Sequence, residues 1–422
     1  MMVERRTPIQ VEEAVKKVMR FARDGGVEEV KLEKAYGRYL SEDLLANHDV
    51  PHFNRSAYDG FAICAKDSQG ASRENPIVFE VIEEIGAGHV VTKEIQEFQA
   101  VRIMTGAQMP YECDTVVMLE LAKEYEENGR KYIEIKRSFR PGDNVSFKGE
   151  DMKEGHMLIA KGTYINPGVQ ALLATFGHTH VKVVKKPTIG IYATGTELLD
   201  VHEQLEPGKI RNSNAHMVQA QIERAGATPL YIGKLADNFD DCYKAISNAL
   251  DEVDILITTG GVSVGDFDYL PTIYEKMGAR ILCNKIAMRP GSVTTIAELN
   301  GKLLFGLSGN PSACYVGFEL FVRPIIKTLF GSRKPHLKKT RALLQADFPK
   351  PNPFTRFVRS YMSYGERGIQ VTPVGFDKSS IVSSLATANA LMVLPGGTRG
   401  FIEGMEVDVL LLEDVEGSEW PW

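Results

Sequence analysis

Between residues 187 and 330, short apolar runs alternate with amphipathic ones, and most of the apolar runs end in a glycine-bearing turn. This rhythm leaves few folds open. A strand that returns to its own sheet through a helix must lie parallel to the strand before it. The pattern predicts strands at Thr188–Ala193, Pro229–Leu235, Asp254–Thr259, Arg280–Ala287, Val293–Glu298 and Lys302–Leu307. Helices are expected at Asn214–Ala225, closed by Gly226, at Asp240–Leu250, at Tyr269–Met277, closed by Gly278, and over Ser312–Phe330. The expectation is a three-layer α/β domain with a mostly parallel sheet.

The flanks have a different texture. Residues 9–23 repeat Val11, Ala14, Val15, Val18 and Ala22 at helical spacing after Thr7-Pro8, and Gly25-Gly26 should stop that helix. A second short element is expected over 38–47, before Pro51. From 52 to 145 short alternating runs dominate, with Asn128-Gly129 as a hairpin signal between Leu119–Glu126 and Arg130–Lys136. After a basic linker, Gly331–Lys339, five more short strands are expected: Thr340–Ala346, Phe357–Tyr364, Ile369–Val374, Ala390–Leu394 and Met405–Leu412. They fit a small β-barrel or sandwich. With 422 residues, the chain should divide into several domains.

Bulk properties narrow the function. The net charge is −6, which argues against a nucleic-acid coat, because that needs a basic face to displace counterions. The five cysteines, Cys64, Cys113, Cys242, Cys283 and Cys314, include no C-x-x-C pair and read as reduced thiols. No leader-like apolar run opens the sequence, and no apolar stretch reaches the roughly 20 residues of a membrane span. A cytoplasmic protein with no membrane partner is expected.

In an open parallel sheet, ligands bind beyond the carboxyl ends of the strands. Four loops fall there: Thr194–Glu197, Thr259–Asp268, Met288–Gly291 and Leu307–Pro311. Gly260, Gly261 and Gly265 let backbone approach a ligand and offer N–H groups to an anion, and Ser263 adds a hydroxyl. Gly309-Asn310-Pro311 leads into a helix whose free N–H groups could seat an anion. Glu197, Asp266 and Asp268 are hard oxygen ligands suited to magnesium. Lys285 and Arg289, four apart, would share one face of a strand and hold phosphate or a tetrahedral oxyanion. Taken singly, each loop is an ordinary turn. Their shared position at strand ends favours an anion-plus-metal site, and leaves nucleotide, sugar-phosphate and pterin substrates all open.

A second constellation precedes the sheet domain. Asn54–Ala62 holds Asp59 between a hydroxyl and a glycine, Arg102–Ala107 runs into Thr105-Gly106, and Arg140–Asn144 precedes Lys148–Asp151. Each alone reads as a capped turn.

These segments together resemble a known family. Val50-Pro51-x-Phe53-x-x-Ser56-Ala57-x-Asp59-Gly60-x-Ala62 is similar to a signature of the molybdopterin molybdenumtransferases and of the gephyrin E domain. So are Arg102–Ala107, Gly149-Glu150-Asp151, Thr194-Gly195-x-Glu197-Leu198, Asn212-Ser213-Asn214, Pro290-Gly291 and Gly309-Asn310-Pro311. Thr259–Tyr269 is the most specific of them. The likeness is ordered and spans roughly residues 8 to 412.

The resemblance implies four domains: an elongated N-terminal one (1–51 and 146–186), an inserted β-rich one (52–145), a molybdopterin-binding α/β one (187–332) and a C-terminal β-barrel (333–422). It implies a homodimer whose active cleft lies between the α/β domain of one subunit and the N-terminal part of the other. It implies insertion of molybdate into adenylylated molybdopterin with Mg2+ and release of AMP. Asp59, Thr105 and Asp151 match family positions facing that cleft. Glu197, Asp237, Asp266 and Asp268 match the magnesium and pyrophosphate positions. Lys285 and Arg289 should seat the anions, with Gly260, Gly261, Ser263, Gly265, Gly291, Gly309, Asn310 and Pro311 around the cofactor. Arg359 matches a basic barrel position, and Ser379 or Ser380 a functional serine. A molybdopterin adenylyltransferase and cofactor-accepting proteins are implied partners.

The chain departs from the family pattern at three points. Thr196 replaces an acid, Ser292 replaces a second lysine after Arg289-Pro290-Gly291, and Ser308 replaces a proline. These leave a tungstate-preferring insertase, an inactive paralogue and a scaffold as alternatives. The α/β domain alone also resembles the adenylyltransferases. The extra β domains and the Ser-Ala-x-Asp-Gly segment favour the insertase.

Overall fold

The computed structural model describes residues 7–235, 238–261 and 270–412. These form two compact units. One comprises Asp43–Ala160 and Ala171–Thr179, and the other the rest of the described chain.

The first unit is built on a six-stranded sheet. Its spatial order is Thr115–Met118, Gly60–Ile63, Gln99–Ile103, Ile77–Ile85, Arg130–Ile135 and Ala122–Glu127. Successive side chains of a strand point to opposite faces, so Phe61 and Ile63 join one core with Phe79, Val117 and Ile133. Ala62 joins the other with Val101, Ile103 and Val116. Both faces are covered, and all four residues of Gly60–Ile63 are buried. The expected hairpin is present. Glu127 pairs with Arg130, and Asn128 and Gly129 take φ of 51° and 76°, the double positive φ of a two-residue turn matched to strand twist. Leu119–Leu121 forms a 3-10 turn before the strand rather than its first residues.

The second unit holds the α/β domain. Its sheet runs Thr228–Leu235, Thr188–Thr194, Ile255–Thr259, Lys302–Leu307, Thr295–Leu299, Arg280–Cys283. The first four strands are parallel, Thr295–Leu299 runs antiparallel to them, and Arg280–Cys283 pairs antiparallel with Thr295–Leu299 and so returns to the first direction. The sheet has helices on both faces. Ser213–Ala225 and the helix from Pro311 pack with Ile189, Ile191, Ile257 and Phe305. Phe239–Glu252 and Leu270–Lys276 pack with Tyr192, Leu256 and Leu304. The sheet-and-helix order is therefore the expected one.

Three expectations are corrected in detail. The N-terminal helix is Val11–Met19, shorter than 9–23, with Gln10 rather than Thr7 at its start. The long helix after Pro311 is interrupted: Pro311–Gly317 is α, Phe318–Val322 a π turn, and Arg323–Leu329 α again. The strand expected over Arg280–Ala287 ends at Cys283. Met288–Arg289 belongs instead to the next sheet, paired in parallel with Thr355–Arg356.

That next sheet closes on itself. Thr355–Gly365, Gly368–Pro373, Lys339–Leu344, Glu406–Leu411 and Ala390–Leu394 pair in turn, and Ala390–Leu394 pairs back on Thr355–Gly365. This is a five-stranded barrel filled by Leu344, Val358, Val371, Met392 and Val409. A small ribbon of Phe348–Asn352 and Thr398–Phe401 accompanies it and was not expected. Pro349 and Pro351 make the first of these strands read as a loop, because proline lacks the donor a ladder needs.

Candidate active site

The carboxyl ends of three neighbouring parallel strands bring three of the expected loops together. Thr194, Thr259 and Leu307 end their strands side by side. The Gly260 N–H donates to the Leu307 carbonyl at 2.8 Å, and the Thr194 hydroxyl donates to the Thr259 carbonyl at 3.2 Å. Gly260 has φ of +95°, and a Cβ there would sit 2.4 Å from Thr194 Oγ1. Only glycine fits such an approach. Gly309 lies against Gly260, and its carbonyl accepts from Asn214 Nδ2 at 2.8 Å. Asn212 caps the helix that carries Asn214, accepting from the Ala215 N–H. The Asn212-Ser213-Asn214 motif thus ties that helix to the Gly309 turn.

Glu197 is exposed on the Gly195 loop. Its carboxylate folds back over Gly195, where an added Cβ would lie 2.4 Å from Oε2. Lys209 Nζ holds the loop by donating to the Thr196 carbonyl at 2.6 Å. Of the four expected magnesium ligands Glu197 alone is described. Asp237, Asp266 and Asp268 lie outside the described residues, as do Ser263 and Gly265. Among the described residues no three His, Cys, Asp or Glu side chains gather in metal-binding geometry. Glu197 is thus a single exposed carboxylate, of the hard oxygen type that magnesium takes.

Beside these turns is a cavity of about 330 Å³. Met288–Val293, Ser308, Asn310 and Ala313 form one part of its lining, and Arg356, Asp377, Lys378 and Ser379 of the barrel unit form the other. Three cations face one carboxylate there, so the cavity is cationic although the chain is acidic. Arg289, Gly291 and Asn310 all line this cavity. Lys285 and Arg289 do not share a strand face. Lys285 follows the end of one strand, its carbonyl accepting from the Ile9 N–H, and Arg289 lies on another sheet.

The helix after Asn310-Pro311 offers fewer free donors than expected. Pro311 has no N–H, and that of Ser312 donates to the Ser379 carbonyl at 3.0 Å. The Ser312 hydroxyl donates to the Ile381 carbonyl at 2.5 Å.

Arg359 does not line the cavity. It is 1% exposed, and burial lowers its pKa. Its Nε donates to Ser384 Oγ at 2.7 Å, and Nη2 to the carbonyls of Phe376 and Lys378 at 2.9 and 3.3 Å. It braces the loop that carries Asp377 and Lys378. The barrel arginine at the cavity is Arg356. It donates to Asp377 Oδ2 at 2.6 Å, Asn352 Oδ1 at 2.7 Å and the Pro351 carbonyl at 3.2 Å. Sequence reading passed over Arg356, Asp377 and Lys378. The one available signal was the density of charge around the Arg359 strand.

In the other unit, Asp59 and Thr105 come together. The Thr105 N–H and hydroxyl both donate to Asp59 Oδ1 at 2.7 Å. These bonds, with Arg102 nearby, hold the Asp59 carboxyl below its ordinary pKa despite partial desolvation. Oδ2 has no partner among the described residues. Gly60 is required beside it, since a Cβ would lie 2.1 Å from the Val117 carbonyl oxygen. Asp151 lines a separate concavity with Gly149, Lys153 and His156, and its carboxylate is unpartnered among the described residues.

Comparison with known proteins agrees along the chain. Residues 9–177 match the MoeA N-terminal region (domain I and II). Residues 190–328 match a probable molybdopterin binding domain, and residues 341–412 the MoeA C-terminal region (domain IV). A molybdopterin molybdenumtransferase of Bacillus subtilis is 60% identical over 421 residues, covering 100% of this chain and 98% of its own. One of Staphylococcus epidermidis is 50% identical over 413 residues, 98% of each chain. The crystal structure of a molybdopterin biosynthesis MoeA protein from Pyrococcus horikoshii superposes with a TM-score of 0.81 at 30% identity, covering 96% of this chain and 100% of that one. By domain content, full-length similarity and fold, the chain belongs to the MoeA family of molybdopterin molybdenumtransferases.

Proposed function

We propose that this chain inserts molybdate into adenylylated molybdopterin and releases AMP, as a molybdopterin molybdenumtransferase of molybdenum cofactor biosynthesis. The observation that carries the reading is the cationic cavity beside the converged glycine turns of a parallel sheet. A tetrahedral oxyanion and a phosphate-linked pterin both need concentrated positive charge and backbone donors. Arg289 and Arg356 supply guanidinium groups suited to paired oxygen contacts. Gly260, Gly261 and Gly309, with Ser263 and Gly265, hold the phosphate link. Lys285 neutralises it. Asp59, oriented by Thr105, is a fixed carboxylate acceptor for the same reaction, and Asp151 a second one. Magnesium, held through Glu197 with Asp237, Asp266 and Asp268, neutralises pyrophosphate charge when bound.

Four domains, 1–51 with 146–186, 52–145, 187–332 and 333–422, are part of this reading. Their support is the presence of separate sheets, with cores of their own in the inserted domain and the barrel. So is a homodimer, in keeping with large apolar side chains left exposed at Phe53, Tyr58, Met104 and Phe147. Sedimentation should give a mass near twice 46.8 kDa, and a monomer at working concentration would remove the dimer. Cytoplasmic residence accords with five free thiols and with the lack of a described helix long and apolar enough to cross a membrane. An adenylyltransferase supplying the substrate and proteins accepting the cofactor complete it.

The test is AMP release from adenylylated molybdopterin with magnesium, comparing molybdate with tungstate. Molybdate-stimulated release, lost on chelation and restored by magnesium, is the expected result. Stimulation by tungstate alone would change the metal. No release with either would mark an inactive paralogue.

A further inference from the structure

The cavity beside the Gly309 turn is lined by three cations, and they are not equivalent. Arg356 is committed: all three of its nitrogens donate to protein oxygens, Asp377 among them. Among the described residues, neither the Arg289 guanidinium nor the Lys378 ammonium has a hydrogen bond or ion pair.

The backbone under Lys378 is unusually well held. Arg359 donates to the carbonyls of Phe376 and Lys378. The Ser379 carbonyl accepts from Ser312. Asp377 is clamped by Arg356 at 2.6 Å and by Lys350 at 3.4 Å. A loop fixed at four successive residues, 376–379, therefore presents one ammonium group that has no partner among the described residues. A flexible surface lysine would not have its main chain pinned by the helix at Ser312 and by the barrel arginine Arg359 together. Ser292 lines the same cavity and is uncharged.

We infer that Lys378 is an oxyanion-holding residue of this cavity, sharing a tetrahedral dianion with Arg289 and so setting the affinity for it. A dianion of this shape offers oxygens to two cations at once, and charge-assisted hydrogen bonds are the strong ones. The inference rests on the proposed function, which makes this cavity the oxyanion site.

The experiment is calorimetric titration of the full chain with molybdate alone, paired with AMP-release kinetics at varied molybdate. Lys378→Met is expected to weaken molybdate roughly ten- to a hundred-fold, the loss of one hydrogen bond to a charged group. It should raise KM for molybdate much more than it lowers kcat. Lys378→Arg should stay within a few-fold of the parent. Ser292→Lys introduced into Lys378→Met should recover most of the affinity, because the charge returns to the same cavity from another wall. A purely structural loss at the loop would not respond to Ser292→Lys. Parent-like affinity in Lys378→Met, or no recovery in the double variant, overturns the inference. If the parent binds molybdate but releases no AMP, the insertion reading fails, and the Lys378 comparison is still read from the binding titrations.

Discussion

The lowered pKa of Asp59 is owed chiefly to one neighbour, Thr105. Thr105 donates twice to a single oxygen, and the other has no partner among the described residues. A depressed carboxyl pKa favours the charged form in the folded chain. The bonds therefore contribute stability above the unfolded-state pKa, and the contribution is lost as pH falls through the folded pKa. Thr105→Val should move the Asp59 titration upward toward the ordinary carboxylate value, as read by NMR of the side-chain carboxyl. An unmoved titration would mean that the Thr105 hydroxyl does not contribute, since the residue 105 N–H still donates in the variant. Asp59→Ala should abolish AMP release while circular dichroism stays native, and full activity would remove Asp59 from the site. The cysteines give a third check. Burial pushes the Cys113, Cys283 and Cys314 thiols up to about 12, and Cys242 is also buried. Since the thiolate is the reactive form, iodoacetamide should label Cys64 and spare the other four in the native chain, as counted by mass spectrometry. At this scale the sequence showed which residue types matter, because Asp59 and Thr105 stand in recognisable turns. It did not show that they bond to each other, since 46 residues separate them and only the sheet brings Gly60 beside Ile103. Arg359 shows the opposite failure. A basic residue on a strand reads as a ligand, and its burial under Phe376 and Lys378 is a property of the closed barrel.

Two elements depend on contacts made far along the chain. The strand Gly60–Ile63 runs against Thr115–Met118 so closely that any Cβ at residue 60 meets the Val117 carbonyl. Gly60→Ala should cost about 1–3 kcal/mol by overpacking, measurable as a lowered midpoint in chemical denaturation followed by circular dichroism. The helix from Pro311 carries the second case. Its π turn holds Glu319, which is 1% exposed and paired with Arg224, with Gln221 at 2.6 Å and Arg323 at 3.8 Å. Breaking a buried pair strands the remaining charges, so Glu319→Ala should destabilise by roughly 3–5 kcal/mol. A change below about 1 kcal/mol would show the network to be dispensable. Periodicity revealed this helix but not its π turn, because the register shift answers to partners at 221 and 224.

At the scale of the whole molecule the chain is acidic, yet its candidate site is cationic. The charge that matters is gathered on one sheet by distant parts of the chain: Arg289 from the short strand at the barrel's margin, Arg356 from the barrel strand paired with it, and Lys378 from a barrel loop. The five thiols are all free, so stability should not depend on redox state. A thermal midpoint unchanged by reductant is expected, and a drop would reveal a disulfide this structure lacks.

The sequence by itself determined the order of elements, the glycine turns at strand ends, the Asn128-Gly129 hairpin and the family resemblance. All of these are local: they follow from side-chain period, turn chemistry and motif order within a few residues. Tertiary structure alone decided that Lys285 and Arg289 part company and that Arg356 rather than Arg359 reaches the cavity. It also decided that Ser379 takes a helix N–H and that Lys378 has no partner among the described residues. Each of these depends on which strand closes the barrel and on what a buried polar group finds there. Such pairings join residues tens of positions apart, and no local pattern encodes them.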